Sequence, residues 1–167
     1  MLGAFFAMFA FSPDKIALMV NYLSVFSSAF TVLFMFWSLT ILLKKLIIGE
    51  KELSTNNAVM ILGSAAVASL SFTFTDSFWY NAVEAEVYAM ATFLIALLFW
   101  LGLRWEQEIN TPRGNKWLLI ISLVIGLSFG VHFMALLAFP AIGFLYFFKK
   151  YHTITVKSFL IANVVIV

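Results

Sequence analysis

From Ile16 to Leu43 the chain runs without a single charged residue. A helix needs about 20 predominantly apolar residues to cross the hydrocarbon core of a bilayer, so this run can span and still tilt or project beyond it. Further apolar runs cover Ala58–Thr75 and Ala85–Leu103, then Trp117 to a fading end near His132–Met134, then Ala135–Phe148, which is short and contains Pro140. A sixth begins near Phe159 and reaches Val167 before it is long enough to cross. Apolar residues make up 63% of the chain and charged ones 11%, against about 45–50% and about 25% in soluble domains. That leaves too little polar surface to coat a water-soluble particle, and the 20 phenylalanines exclude a disordered chain. The expected fold class is all-α: a polytopic transmembrane bundle of about five to six spans, one transmembrane domain over residues 1–167. Met1–Phe11 is apolar but has neither a basic n-region nor a small-residue cleavage site, so it reads as the end of a membrane or interfacial segment and not as a cleaved signal. With its last span cut short, the chain reads as a piece of a larger multi-pass protein, truncated at both ends.

Charge placement orients the spans. Lys44, Lys45 and Lys51 follow the first span, Arg104, Arg113 and Lys116 the third, and Lys149, Lys150 and Lys157 the fifth. The alternate loops carry Asp76, Glu84 and Glu86, or no charge near His132; Lys15, beside Asp14, is the exception. The positive-inside rule puts loops 44–57, 104–116 and 149–158 in the cytoplasm and the Asp76–Glu86 loop across the membrane. The net charge of +2 is too small to suggest a nucleic-acid partner. Without cysteine there is no disulfide, thiolate metal site or cysteine nucleophile. Trp37, Trp100, Trp105 and Trp117 fall near span ends, as an interfacial aromatic belt requires, while Trp79 sits in the acidic loop.

Helices in lipid associate through close backbone approach, which favours small residues. The second span holds Gly63, Ser64, Ala65, Ala66, Ala68 and Ser69, with Ser64 and Ala68 on one face; the fourth holds Ser122, Gly126 and Gly130 at G-x-x-x-G spacing. Both read as contacts within one bundle, with homodimerisation as the alternative.

The dense polar stretch is Thr73–Tyr88. On a continuous helix Asn81, Glu84 and Tyr88 share a face, and Glu86 lies about 200° from Glu84. Glu86 is surrounded by Ala82, Val83, Ala89 and Met90, an apolar setting in which a carboxylate has to find a partner. Candidate substrate-binding residues are Glu86, His132, Asp76, Trp79, Tyr80 and Glu84. A wholly solvated turn is the competing reading. His132 is either a phosphate or proton contact or a packing residue hydrogen-bonded to a neighbouring helix. No metal site is evident, although Asp76 or Glu86 with His132 would give a divalent cation an oxygen-rich site. There is no P-loop, dinucleotide fingerprint, H-E-x-x-H or G-x-S-x-G. Lys44, Lys45 and Lys51 form a modest basic patch, explained equally by anionic lipid or by topology signalling.

The runs Asp76–Tyr88, Gly126–His132 and Met19–Phe30 resemble the bacterial multi-pass membrane family catalogued as domain of unknown function 2723, which is similar to a eukaryotic transmembrane protein O-mannosyltransferase and is placed with the GT-C glycosyltransferases. The resemblance implies a GT-C-like bundle in a bacterial inner membrane. It implies transfer of a sugar from a polyprenyl-phosphate donor to a protein or glycan acceptor on the periplasmic face. It further implies a catalytic carboxylate and a His-Pro-Pro-Gly-like segment in a loop ahead of Met1. The catalytic base is then unknown within this chain, the fragment alone is expected to be inactive, and Glu86 and His132 are the matching positions that would line the donor or acceptor cleft. The competing classes are a transporter or channel segment, with Asp76, Glu84 and Glu86 as an ion vestibule and Pro140 as its helix break, and a non-catalytic membrane scaffold.

Overall fold

The computed structural model describes residues 2–49, 51–151 and 153–166; Met1 and Val167, where the two cut ends were expected, lie outside the described residues. The chain forms α1 (Leu2–Ala7), α2 (Ile16–Ile47), α3 (Thr55–Thr73), α4 (Asp76–Val83), α5 (Val87–Glu108), α6 (Gly114–Ser128), α7 (Ala138–Lys150) and α8 (Val156–Ile166), with 3-10 turns at Pro13–Lys15 and Phe133–Leu137. Among the described residues there is no strand, and the fold is the expected all-α membrane bundle.

Four stretches are long and apolar enough to cross a membrane: Pro13–Ile47, Thr55–Thr73, Val87–Glu108 and Phe133–Lys150. The 32 residues of α2 extend about 48 Å, well beyond a hydrocarbon core of about 30 Å. The 15 residues of α6 extend only about 22 Å, and α8 has 11. The fourth and sixth stretches are thus shorter than a full crossing. Pro140 makes no break: it sits in the first turn of α7, where a missing N–H costs no helical bond.

Helix ends follow local chemistry. Ser54 caps α3, its hydroxyl accepting from the Asn57 N–H at 3.3 Å. Gly49, at φ 59°, closes α2 in the left-handed conformation, and its N–H reaches the Lys44 carbonyl at 3.3 Å. Lys44 and Lys45 in the last turn of α2, and Lys149 and Lys150 in that of α7, complement the negative ends of those helices.

At the centre, α5 touches α2, α4, α6, α7 and the 133–137 turn. Its residues Leu94, Leu98, Leu101 and Trp105 pack with Ile121 and Val124 of α6 and Ala138 and Ile142 of α7. Trp105 is 2% exposed and stacks on Tyr146 at 5.4 Å, so it belongs to the core and not to the lipid-facing belt expected for it. The buried side of α2 is a seam of small hydroxyl residues, Ser24, Ser27, Ser28, Thr31 and Ser38. Ser27 and Thr31 donate to carbonyls one turn back, at 2.7 Å and 2.9 Å. The hydroxyls of Ser27 and Thr31 are thus satisfied locally, whereas those of Ser28 and Ser38 are buried with no partner among the described residues, and the small side chains admit a close neighbour.

The small-residue contacts differ from those expected. On α3 the buried stripe is Ile61, Ala65 and Ser69, whereas Gly63, Ser64 and Ala68 are exposed. The true stripe is offset by one residue from the Ser64–Ala68 pair, because small side chains occur on both faces of α3. On α6 the buried face is Gly114, Ile121, Val124 and Ser128. A Cβ at Gly126 would meet nothing within 4 Å, and Gly130 lies beyond the helix end. The G-x-x-x-G spacing is therefore no helix contact in this bundle, since its two glycines do not share one helix. Close approach occurs instead at Gly143, where a Cβ would come within 2.6 Å of Ile166 Cγ2 as α8 crosses α7.

The bundle has two chemically distinct ends. Glu106 of α5 pairs with Lys45 of α2 and, at 2.7 Å, with Lys149 of α7, so the basic loops share one end. The opposite end gathers the start of α2, the Asp76–Glu86 segment and residues 130–134, as the charge alternation requires.

Candidate functional site

The acidic end is organised by a helix interruption. α4 stops at Val83, and Glu84 (φ −103°, ψ 141°) and Glu86 (φ −118°, ψ 167°) are extended. The Glu86 N–H donates to the Glu84 carbonyl at 2.9 Å, and α5 starts at Val87. The one-face grouping of Asn81, Glu84 and Tyr88 is thereby lost, because it assumed a continuous helix. Two side chains from the start of α2 hold the interruption: the Asn21 amide donates to the Val83 carbonyl at 2.6 Å, and the Ser24 hydroxyl reaches the Glu86 carbonyl at 3.5 Å. The Asn21 bond satisfies a carbonyl at the C-terminal end of α4 that is left open where the helical ladder stops.

A cleft of about 480 Å³ opens here, bounded by Leu2 and Gly3 of α1, Val20 and Ser24 of α2, Ala85–Val87 and Met90, and Gly130–Val131. Glu86 sits in its wall. His132 lies one residue beyond that wall, with its ring 5.5 Å from the Tyr88 ring. Its Nδ1 accepts from the Met134 N–H at 3.1 Å and caps the 133–137 turn. With Nδ1 accepting, the neutral imidazole carries its proton on Nε2, which is left as a donor.

The remaining expected residues divide. Asp76, Trp79 and Tyr80 line a separate shallow cavity of about 560 Å³ with Phe74, all three exposed to the surroundings. Glu84 is exposed and lines neither space. The structure therefore brings Glu86 and the segment carrying His132 to one cleft and leaves the Asp76–Tyr80 group beside it. Among the described residues no group of three His, Asp or Glu side chains is placed to hold a metal ion. Asn21, Ser24 and Met90 were not picked out from the sequence as site residues. The signal available for them was a pair of polar residues, three apart, in the otherwise apolar start of α2.

What this end offers is a cleft with one carboxylate in its wall, one hydroxyl, and a histidine N–H donor nearby. It is bounded largely by apolar side chains and joins the lipid-facing surface of α1 and α2. A family model described as Protein O-mannosyl-transferase TMEM260 N-terminal domain matches residues 1–155. No curated protein and no solved structure matches the chain.

Proposed function

We propose that this chain, which belongs to the protein O-mannosyl-transferase TMEM260 N-terminal domain family, serves in transfer of a mannosyl group from a polyprenyl-phosphate donor to a hydroxyl acceptor. Its finer placement, in our reading, is the bacterial multi-pass branch catalogued as domain of unknown function 2723, with GT-C architecture. The observation that carries the proposal is the cleft at the acidic end, where Glu86 lies between apolar walls continuous with the bilayer-facing helices. A lipid-linked sugar needs that combination: an apolar path for the prenyl chain and polar groups where the phosphosugar stops.

The chemistry is a substitution at the sugar C1. The bond from C1 to the phosphate oxygen breaks, and the lipid phosphate leaves with the electron pair. A bond from C1 to the acceptor oxygen forms, and the hydroxyl proton passes to a base. The departing phosphate needs a hydrogen-bond donor or cation. In this reading His132 Nε2–H supplies such a donor, and Glu86 orients the acceptor hydroxyl or holds a divalent cation with the phosphate. Asp76, Trp79, Tyr80 and Glu84 extend the acceptor side. The acidic end faces the periplasm of a bacterial inner membrane and the basic loops face the cytoplasm.

The helix interruption at Glu84–Glu86 gives the transport reading its one specific support, since broken helices mark ion sites in transporters. The two readings part on the ligand. Purified chain should retain polyprenyl-phosphate mannose in preference to the same polyprenyl phosphate without sugar. Glu86→Gln and His132→Ala should each weaken retention about tenfold, the loss expected when a charged or strong polar contact is removed. Equal retention of both lipids by the parent chain, or unchanged retention in both variants, rejects the glycosyl-donor site.

A further inference from the structure

We propose that the groove between α2, α5 and α6 at the basic end is a head-group site for an anionic phospholipid of the surrounding bilayer. The groove encloses about 370 Å³ and is lined by Trp37, Thr40, Ile41, Trp100, Arg104 and Trp117. It lies at the opposite end of the bundle from the Glu86 cleft and does not depend on the reading of that cleft.

Its one lining charge is held from behind. Arg104 donates to Gln107 Oε1 at 2.9 Å and to Glu108 Oε1 at 2.8 Å, and its guanidinium lies over the Trp117 ring, 5.3 Å from the centroid. Glu108 Oε2 accepts from Trp117 Nε1 at 2.9 Å. A guanidinium has more N–H groups than these bonds use, and those left over face a phosphate in the groove. Trp37 and Trp100, with ring centroids 5.5 Å apart, form the other wall.

Charge selects the occupant. Glu108 matches Arg104 at salt-bridge distance, and around that pair positive charge is in surplus. Lys44 and Lys116 are exposed and form no ion pair among the described residues. Lys44 lies two turns beyond Trp37 on the same face of α2, and one turn past Thr40 and Ile41. Lys116 directly precedes Trp117, and exposed Arg113 lies one turn before it. Long flexible stems let these charges reach the groove mouth. The nearby acids do not cancel them: Glu106 is taken up by Lys45 and Lys149, and Glu52 lies beyond the end of α2 beside Lys51. A phosphate with no amine of its own suits this balance, as basic pockets between membrane helices suit anionic head groups. A zwitterionic head group brings one more cation to a site already in surplus.

The same face of α2 makes the anion a lipid. Phe30, Phe34, Trp37, Ile41 and Lys44 recur every three or four residues and pass from apolar through aromatic to basic. Phe34 meets Trp37 at 5.3 Å and Trp100 at 5.2 Å, and Phe30 and Phe34 each meet Phe93 at 5.9 Å. This aromatic surface below the groove receives the acyl chains. From Phe30 to Lys44 the helix rises about 21 Å, the depth of one leaflet with its head groups.

The probes are dioleoyl phosphatidylglycerol and dioleoyl phosphatidylethanolamine, which share acyl chains and differ only in head group. The full chain, immobilised in dodecyl maltoside, is offered an equal mixture and washed, and retained lipid is extracted and counted by mass spectrometry. Phosphatidylglycerol should exceed phosphatidylethanolamine by about fivefold or more, the preference that one basic side chain near an anionic head group supplies. Lys44→Gln and Trp37→Leu should each lower the ratio about threefold to fivefold, with helicity checked by circular dichroism. Both side chains are exposed, so neither change opens a buried void. Lys157→Gln removes the same charge from another exposed lysine of the basic end, on α8, whose helix contacts are with α7; it should leave the ratio unchanged. Parity of the two lipids in the parent chain overturns the proposal, as does a ratio untouched by Trp37→Leu. A ratio that falls as far in Lys157→Gln as in Lys44→Gln also overturns it, because diffuse attraction to a basic surface gives that result. So does displacement of phosphatidylglycerol by millimolar inorganic phosphate at matched ionic strength, which makes the groove a site for free anions.

Discussion

Two substitutions to leucine, at Ala65 and at Gly126, separate sequence spacing from real packing. Ala65 is 0% exposed and lies between Ile61 and Ser69 on the stripe that α3 buries. A leucine there adds a branched side chain where no space exists, and overpacking of this kind costs about 1–3 kcal/mol. Gly126 stands in an apparent G-x-x-x-G, but a Cβ there meets no atom within 4 Å. A leucine at Gly126 displaces nothing and removes a flexible residue from α6, a gain of about 0.5–1 kcal/mol. The two variants should differ by about 1.5–4 kcal/mol, or about 3–16 °C in melting temperature for a chain of this size. The assay is thermal unfolding of the purified chain in one detergent, followed by far-ultraviolet circular dichroism, with Ala65→Leu melting below the parent and Gly126→Leu at or above it. A Gly126→Leu chain that melts as low as the Ala65→Leu chain refutes the packing described here and reinstates the glycine pair as a helix contact.

Two further outcomes follow from the polarity of the bundle. Because the chain has no native cysteine, single cysteines at Tyr80 and Asn110 can be labelled alone; an impermeant maleimide should modify position 80 from outside intact cells and position 110 only after lysis. Labelling of both from one side contradicts the two-ended arrangement. Glu106→Gln removes the carboxylate shared by Lys45 and Lys149, whose side chains are 57% and 39% exposed while that of Glu106 is 7% exposed; discounted for the solvent at the lysine ends, the two pairs together are worth about 1–2 kcal/mol, read as a lower melting temperature at low salt. At about 1 M salt the Debye length falls to about 3 Å and most of that difference should vanish, so an equal loss at both salt levels assigns the effect to packing.

Much of the fold was legible because length and hydropathy are one-dimensional quantities. The runs at Ile16–Leu43, Ala58–Thr75 and Ala85–Leu103 reappear as α2, α3 and α5 with ends moved by a few residues. What packs against what was not legible. α3 carries small residues on adjacent faces, Ser64 and Ala68 on one, Ala65 and Ser69 on the next, and only the position of α2 selects between them. Nor did interfacial tryptophan spacing distinguish Trp105, stacked inside on Tyr146, from Trp37 at the lipid face. At the candidate site the sequence supplied Glu86 and His132, but the face shared by Asn81, Glu84 and Tyr88 held only for an unbroken helix. The interruption at Glu84–Glu86 is a tertiary decision: Asn21 and Ser24, more than sixty residues earlier in the chain, accept the burden of the broken backbone, and nothing in the local sequence announces them.

The two ends of the bundle are held by different forces, and this bears on how a substrate would be received. At the basic end, Lys45 of α2 and Lys149 of α7 converge on Glu106 of α5. These links fix α2, α5 and α7 relative to one another. At the acidic end the corresponding links are the Asn21–Val83 bond, the longer Ser24–Glu86 bond and an aromatic contact between Tyr88 and His132. None is an ion pair, and the extended backbone between them makes no helical bonds. Segments with few buried contacts and an open backbone ladder give way first under small free energies. A ligand entering between α1 and the Glu84–Glu86 segment therefore meets the part of the bundle most able to adjust, while the far end keeps the helix axes in register. An intact bundle with a yielding mouth fits the proposed lipid-linked donor, with its long apolar tail and polar head.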